Sequence, residues 1–512
     1  MMGKQADQKE LFSYSVNLDK RVRPDNPLRA VDSLIDFSFV REEVKAFYGY
    51  NGNESVDPVV IMKMMFLLFF DNVASERELM KIIAERLDYM WFLGYGLDDA
   101  IPNHSVLSKA RARWGVDVFE SLFIRMVAQC QLAGLIEGGK LHMDGSLVDA
   151  NASNNAVLKG SAELIEQLRG QLKGVISKLD EPKDDQARVY YERKNKGMLN
   201  TTDPDGAITR KSWNDPARTR YKTHRAVDDT HGVITATETT PGDVEENAKL
   251  MDLVDQHERN TQTTVETVVA DTQYGTIDNF RKCHERGIRS HMGDMTATQL
   301  NKGRRKGIFG CDDFTYDTAT DTYTCPAGET LTRRKDNEKH KAYVYACSAA
   351  TCQGCGLRSK CTNAKDAART LKRHYNQESL DAARAESAST AAKRDRVRRK
   401  WLMEGSFADG ANNHGFKRAR WRRLWRQQIQ DYMIAAIQNI RILIRHGDRQ
   451  PTAAVQALQT QLQSYLQAIN EHIWAFISPF GRFISMCAHR YPSCIKTQTV
   501  LEMRSRHLAN PL

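Results

Sequence analysis

Three acidic side chains stand where a carboxylate could do chemistry. Asp144 lies inside the run LHMDGSLVDAN, which alternates like a strand, with Leu141, Met143 and Gly145 on one face. A carboxylate in a strand otherwise suited to a core is costly unless it is paired or metal-bound. Asp271 directly follows Val268-Val269-Ala270 in VETVVADTQYG. It therefore falls at the carboxyl end of a short buried strand, where open α/β sheets place their sites. Glu404 falls in a helical stretch among basic residues. Three converging carboxylates could hold two divalent cations about 4 Å apart. Hard oxygen ligands suit Mg²⁺ or Mn²⁺. The chemistry would be in-line displacement at a phosphodiester, with Lys and Arg holding the backbone. Any one of these acids would also pass as a cap or a surface residue.

The charge distribution agrees with a polyanion partner. The 512-residue chain carries 74 Lys+Arg against 64 Asp+Glu, a net +10. Between Lys393 and Arg426 there are twelve basic residues and three acids, so +9 sits in one segment. Such concentration is the footprint of a polyanion partner, and equally of a solvated helix face. Arg418, Arg422 and Arg426 are spaced by four, a helical row read as DNA-facing. Trp421 and Trp425 share that spacing and read as core. Lys417, Arg418 and Lys222 (in YKTHR) could reach phosphates. His142, His224 and His414 lie near the motifs and read as orienting residues, because Mg²⁺ sites prefer oxygen.

The elements that must position these groups follow from the pattern. Residues 1–135 read as helices. Asp57-Pro58 caps Val59–Phe70, Ser75 and Glu78 form a capping box, and Asn103-His104-Ser105 precedes VLSKARARW. Lys109, Arg111 and Arg113 on that last helix suggest a helix-turn-helix-like DNA reader, or packing helices with solvated arginines. From Lys140 the order is strand, hairpin (YKTHRAVDD and GVITATETT around Asp229-Thr230-His231-Gly232), helix, strand, helix, strand. That order implies an α/β domain with a mixed sheet. Residues 299–372 break it with short β runs and turns. An Ala/Ser/Arg-rich helical stretch follows (Leu380–Met403), then EGSFADGANNHG, a long helix from about Lys417 to His446, and a second helix, Thr452–Ile473.

Six of the ten cysteines lie between Cys311 and Cys361. Cys325, Cys352, Cys355 and Cys361 form a candidate Zn²⁺ set, with Cys347 as a substitute, against the alternative of reduced structural thiols. The most apolar run, Val59–Phe70, is interrupted by Lys63 and is too short for a membrane span. The N-terminus lacks an apolar stretch behind a basic start. The expectation is an intracellular, cytoplasmic protein without membrane contact.

The blocks LHMDGSLVDANAS, VVADTQYGT and RKWLMEGSFADGANNHGFKRARWRRLW resemble the three signature blocks of bacterial insertion-sequence transposases of the DDE class. The resemblance spans nearly the whole chain and includes PNHSVLSKAR and the YKTHRAVD hairpin. It implies an RNase H-like catalytic core with a mixed sheet, preceded by an all-α domain and interrupted by a small Cys-rich β insertion. Asp144, Asp271 and Glu404 would then be the metal-binding triad. Their separations are 127 and 133 residues, and the second leaves room for the insertion. The expected parts are a helical DNA-binding domain (1–135), the core's first part (136–298), the insertion (299–372), the core's second part (373–446) and a helical tail (447–512). The implied activity is cleavage of double-stranded DNA at the element's ends and joining of the 3′-hydroxyls to target DNA, by a homo-oligomer. Two departures stand out. The family usually has Lys seven residues after the Glu, where this chain has Ala411, and some relatives have Tyr seven before it, where this chain has Val397. Lys417 or Arg418 is the candidate substitute. The alternatives are an impaired DNA-binding protein and a nuclease that does not join strands.

Overall fold

The computed structural model describes residues 16–49, 55–180, 195–295, 307–338 and 341–446. The expected helix Thr452–Ile473 and the tail lie outside the described residues. Helices occupy the chain up to Leu132, and the capping signals explain where they start. The Asp57 carboxylate accepts from the Val59 amide at the head of Pro58–Phe70. Ser75 accepts from the Glu78 amide at the head of Glu76–Glu85. The Asn103 side chain accepts from Ser105 where Ser105–Trp114 begins. Apart from Lys63, which pairs with Asp32, Pro58–Phe70 is apolar all round and is buried along most of its length, as a helix without a polar face must be. No described helix is long and apolar enough to cross a membrane.

The central sheet is mixed. Strand β1 (Lys140–Asp149) pairs antiparallel with β5 (Arg218–Asp228) and parallel with β7 (Thr267–Val269), which pairs parallel with β8 (Arg289–His291). β6 (Ile234–Pro241) and the short β4 (Ala207–Thr209) lie on the other edge of β5. Two further strands, β2 (Val157–Lys159) and β3 (Met198–Asn200), form a separate ribbon. A hairpin and then two parallel strands, each reached through a helix, is the RNase H-like arrangement the motif blocks imply. The β5–β6 turn falls at the expected Asp-Thr-His-Gly. Asp228 caps Thr230, and Gly232 takes φ +76, which glycine adopts without strain.

The period-2 alternation of β1 divides two cores. Leu141 and Met143 pack on Leu250–Thr261 and Ile277–Glu285. Val148 belongs to the other core, which joins the N-terminal helices to Leu424–His446. On that face the sheet is tied to the long helix by buried polar contacts. Thr223 donates to Asp431 (2.6 Å), and Arg225 donates to Gln438 (2.9 Å). Arg225 sits directly opposite Asp144 in the register and is fully buried. Burial pushes its guanidinium down to about 10.

The second half differs from the sequence expectation in two places. Thr390–His414 is one continuous helix running through EGSFADGANNHG, preceded by a separate helix, Gln377–Ala388. Gly410 explains the misreading, because its bare face lets Phe416 and Gln438 pack against the helix. The next helix begins at Leu424, not Lys417. The intervening chain lies along the end of β1, with Asp149 N donating to Lys417 O and Ala419 N donating to Asp149 O. Arg418 and Arg422 therefore share no helical row with Arg426, and Trp421 lies outside the helix of Trp425. The insertion is a five-stranded antiparallel sheet in the order β13-β12-β11-β10-β9 (Thr370–His374, Ala342–Ala346, Thr330–Asn337, Thr322–Thr324, Thr315–Asp317).

Burial sets a pH dependence. His142, His224, His257 and His414 are fully buried, and burial depresses each imidazole. A depressed folded pKa gives stability that is complete above the ordinary imidazole range near ~6.5 and lost as pH falls below it, by about 1.4 kcal/mol per pH unit for each extra proton the unfolded chain takes up. Asp203, raised to about 6 by burial, opposes this, and so do Glu43, Glu120, Asp144, Glu246 and Asp431, whose carboxyls burial also raises. The histidine share is read by difference: His224→Gln should lose less melting temperature than the wild type between pH 7.5 and 5.5. Equal losses by calorimetry would contradict it.

Candidate metal centre

Three carboxylates meet at the sheet, and one of them escaped the sequence reading. Asp144 from mid-β1, Asp271 just past β7 and Glu246 each offer an oxygen, all within 4.8 Å of one another. Glu246 opens a 3-10 turn (Glu246–Lys249) shortly after β6. Its approach depends on Gly145. A Cβ there would lie 2.8 Å from the Glu246 Cδ, so any larger residue after Asp144 would make the Glu246 side chain shift from its present position. That Asp-Gly pair was the available cue, since glycine inside a strand marks a close approach. Gly275, in the ADTQYG block, has a comparable need, because its added Cβ would overlap the Gly293 carbonyl oxygen.

Like charges this close repel by about 3 kcal/mol per pair at an effective dielectric near 20. The carboxylates are held by specific partners. Arg399 donates to Asp144 Oδ2 (2.7 Å), and Gly145 N donates to Oδ1 (2.8 Å). Lys222 lies 3.3 Å from Glu246 Oε1. Asp271 Oδ1 accepts from Gln273 N (2.8 Å). Burial still raises Asp144 above the usual carboxylate range, against Arg399, and Asp271 adds to the rise. Burial raises Glu246 too, against Lys222, with Asp144 and Asp271 adding. Tyr274 is fully buried in the field of all three carboxylates, and its hydroxyl has no hydrogen-bond partner. Clustered hard oxygens carrying residual negative charge fit a divalent cation of the Mg²⁺ or Mn²⁺ kind.

The other expected site residues are spread more widely. Glu404 is exposed and is not part of this trio. Its helix faces Asp144 with Arg399, and five residues further on turn a side chain by roughly 140°. Lys417 donates to Ser146 Oγ (2.6 Å), two residues from Asp144 on the same strand face. Val397 is exposed. Arg418 and Arg422 are exposed, and Arg426 stacks on Trp425. Lys109 and Arg113 are exposed, but Arg111 is not. Arg111 is 2% exposed, paired with Glu76 and stacked 3.8 Å from the Trp421 ring, so it holds two parts of the fold together instead of facing DNA. Lys222 is likewise engaged by Glu246 and by the Val244 carbonyl (3.0 Å), which removes it from direct phosphate contact. The histidines are structural: His142 bonds Asp229, His224 bonds Thr240, and His414 bonds the Phe69 carbonyl. Cys325, Cys352, Cys355 and Cys361 line one cleft in the insertion, together with Cys347.

A mixed sheet in the RNase H-like order, with acids at its two central strands, is the frame of the DDE class. Comparison with known families agrees. Residues 16–113 match a family described as a transposase domain (DUF772), and residues 324–444 match the transposase DDE domain family. Both matches are to transposase domains, the second of the DDE type. Among solved structures, the chain is similar to a piggyBac transposase in a cryo-EM synaptic complex with hairpin DNA, at 9% identity and a TM-score of 0.32, covering 81% of this chain and 72% of that one. That likeness is loose. No curated protein matches.

The dependence of Glu246 on Gly145 is testable. Gly145→Ala should push Glu246 away and weaken Mn²⁺ binding by about 10- to 100-fold, the range seen when a supporting residue is lost. Titration calorimetry showing unchanged affinity would remove Glu246 from the site.

Proposed function

We propose that this chain cuts DNA at the ends of its own insertion sequence and joins the freed 3′-hydroxyls to target DNA. The observation carrying this reading is the convergence of Asp144 and Asp271, from separate motif blocks, with Glu246 inside 4.8 Å. Acids more than about 10 Å apart could not share a two-cation site. Asp144, Asp271 and Glu246 would hold the cation, and Glu404 joins the catalytic set on its motif. Bound Mg²⁺ or Mn²⁺ would supply Lewis acidity for attack at phosphorus and for departure of the leaving oxygen.

The chain's own residues supply the rest. Arg399 fixes the Asp144 carboxylate, and Lys222 fixes that of Glu246. Lys417, beside Ser146, takes the place of the Lys missing at position 411 as a phosphate contact near the acids. Exposed Arg418 and Arg422 extend that basic border, and Arg426 is a further contact. Lys109 and Arg113 on the N-terminal helices would bind the element's terminal repeats. Two ends must be held at once, so the active form is an oligomer, a dimer in the simplest case, on chromosomal DNA in the cytoplasm. Ala411, and the position of Glu404 outside the trio, favour one second reading: a DNA-binding protein impaired in catalysis.

The test is incubation of the full chain with Mg²⁺ and a supercoiled plasmid carrying the element's ends. Joined products are expected from the wild type, and none from Asp271→Asn, Glu246→Gln or Glu404→Gln. Of the two glutamates, only Glu246→Gln should also weaken cation binding. Binding to the ends without cleavage supports the impaired reading, and cleavage without joining supports a nuclease.

A further inference from the structure

The insertion has little apolar core of its own. Its buried hydrophobic cluster is Phe314, Leu331, Tyr345 and Leu371. Four side chains are few for a five-stranded sheet, and small domains of this kind usually need a cross-link or a metal. Against that cluster lies a cleft lined by five thiols, Cys325, Cys347, Cys352, Cys355 and Cys361. They come from three places: the β10–β11 turn, the end of β12, and the two short helices Ala349–Gln353 and Arg358–Cys361 with the link between them. The Cys347 and Cys352 sulfurs are 2.9 Å apart. Cys352 and Cys325 each lie within electrostatic range of both Cys347 and Cys361.

A second observation points to an anionic occupant. Arg358 and Arg369 line the same cleft, and both bring a buried nitrogen with no partner: Nη1 of Arg358 and Nε of Arg369. An unsatisfied buried guanidinium nitrogen is costly, and thiolate sulfurs would satisfy it. The five thiols alone would give it only weak neutral acceptors. A tetrathiolate around a divalent cation carries a net charge of −2, which two arginines offset.

We propose that this cleft is a zinc site, in which four of the five thiolates bind one Zn²⁺ and Cys352 is the central ligand. Zn²⁺ takes sulfur at about 2.3 Å in a tetrahedron, so neighbouring sulfurs settle about 3.8 Å apart. Cys347 and Cys352 need only a small separation to reach that spacing. Each ligating thiol releases its proton to solvent on binding. The fifth thiol remains at the rim. The metal staples the turn before β11 and the end of β12 to the short helices, doing what the small core cannot. This site takes a thiophilic ion and is separate from the oxygen-lined trio, so it does not depend on the proposed reaction.

The experiment is elemental analysis of purified full-length protein, followed by Co²⁺ substitution and visible spectroscopy. The expected result is one zinc per chain and, with Co²⁺, intense ligand-field and sulfur charge-transfer bands of a tetrahedral tetrathiolate. These should persist in Asp271→Asn, which alters only the oxygen site. They should also persist in Cys311→Ser, since Cys311 packs nearby but does not line the cleft. Cys352→Ser should lose the metal. Should that variant fail to fold, the wild-type spectrum decides alone. Zinc-free protein, a Cys347–Cys352 disulfide in its place, or Co²⁺ bands of weak octahedral type would each overturn the proposal.

Discussion

Holding three carboxylates within 4.8 Å of one another is the constraint around which this molecule is arranged. Their repulsion is worth several kcal/mol, comparable with the whole stability of a domain. The fold meets it by bringing a cation to two of them from a different element in each case. Arg399 comes from the helix Thr390–His414 and Lys222 from β5. Burial nevertheless leaves Asp144 and Glu246 with raised proton affinity. A site in that condition is stable with the acids protonated or with a divalent cation bound. It is under strain when fully ionised and empty.

Much of the surrounding structure can be understood as support for that arrangement. β1 must present Asp144 to the helical face while its alternate residues fill the opposite core. Arg225, directly across the register from Asp144, bonds the long helix through Gln438. Asp431 accepts from Thr223 on the same strand. These buried polar contacts fix the depth of the sheet against Leu424–His446. Asp395, near the start of the Glu404 helix, bonds His291 on β8 (2.8 Å) and pairs with Lys140 at the head of β1 (3.2 Å). The helix that carries Arg399 is thus anchored to the same sheet it serves. The insertion leads into this helix through β13 and Gln377–Ala388, where Glu386 also bonds His291 (2.9 Å).

The sequence disclosed the order of the main elements along the core and the positions of Asp144 and Asp271, because both depend on local patterns. Alternation marks β1, a valine run marks β7, and polar turn residues mark the hairpin. It hid Glu246 because DVEENAKLMDLVDQHERN reads as one more acidic helix start, and nothing in its spacing points at β1. The glycine at 145, across the fold, is the one cue to the approach, since it leaves room for the Glu246 side chain. Arg111 was misjudged for the converse reason. A basic side chain on a capped helix looks solvated until Glu76 and Trp421 close over it, 35 residues away and 310 residues away along the chain. The glycines of EGSFADG suggested a break, yet Gly410 is what allows helix and Phe416 to pack. Each failure concerns a tertiary contact that local propensity does not register.

The central claim is that Glu246 completes the metal centre with Asp144 and Asp271. Anomalous scattering from crystals grown with Mn²⁺ tests it most directly. The account predicts manganese bound by oxygens of all three residues at about 2.1–2.2 Å. Manganese bound by Asp144 and Asp271 with Glu404 as the third acid, and Glu246 left outside its coordination sphere, would contradict it.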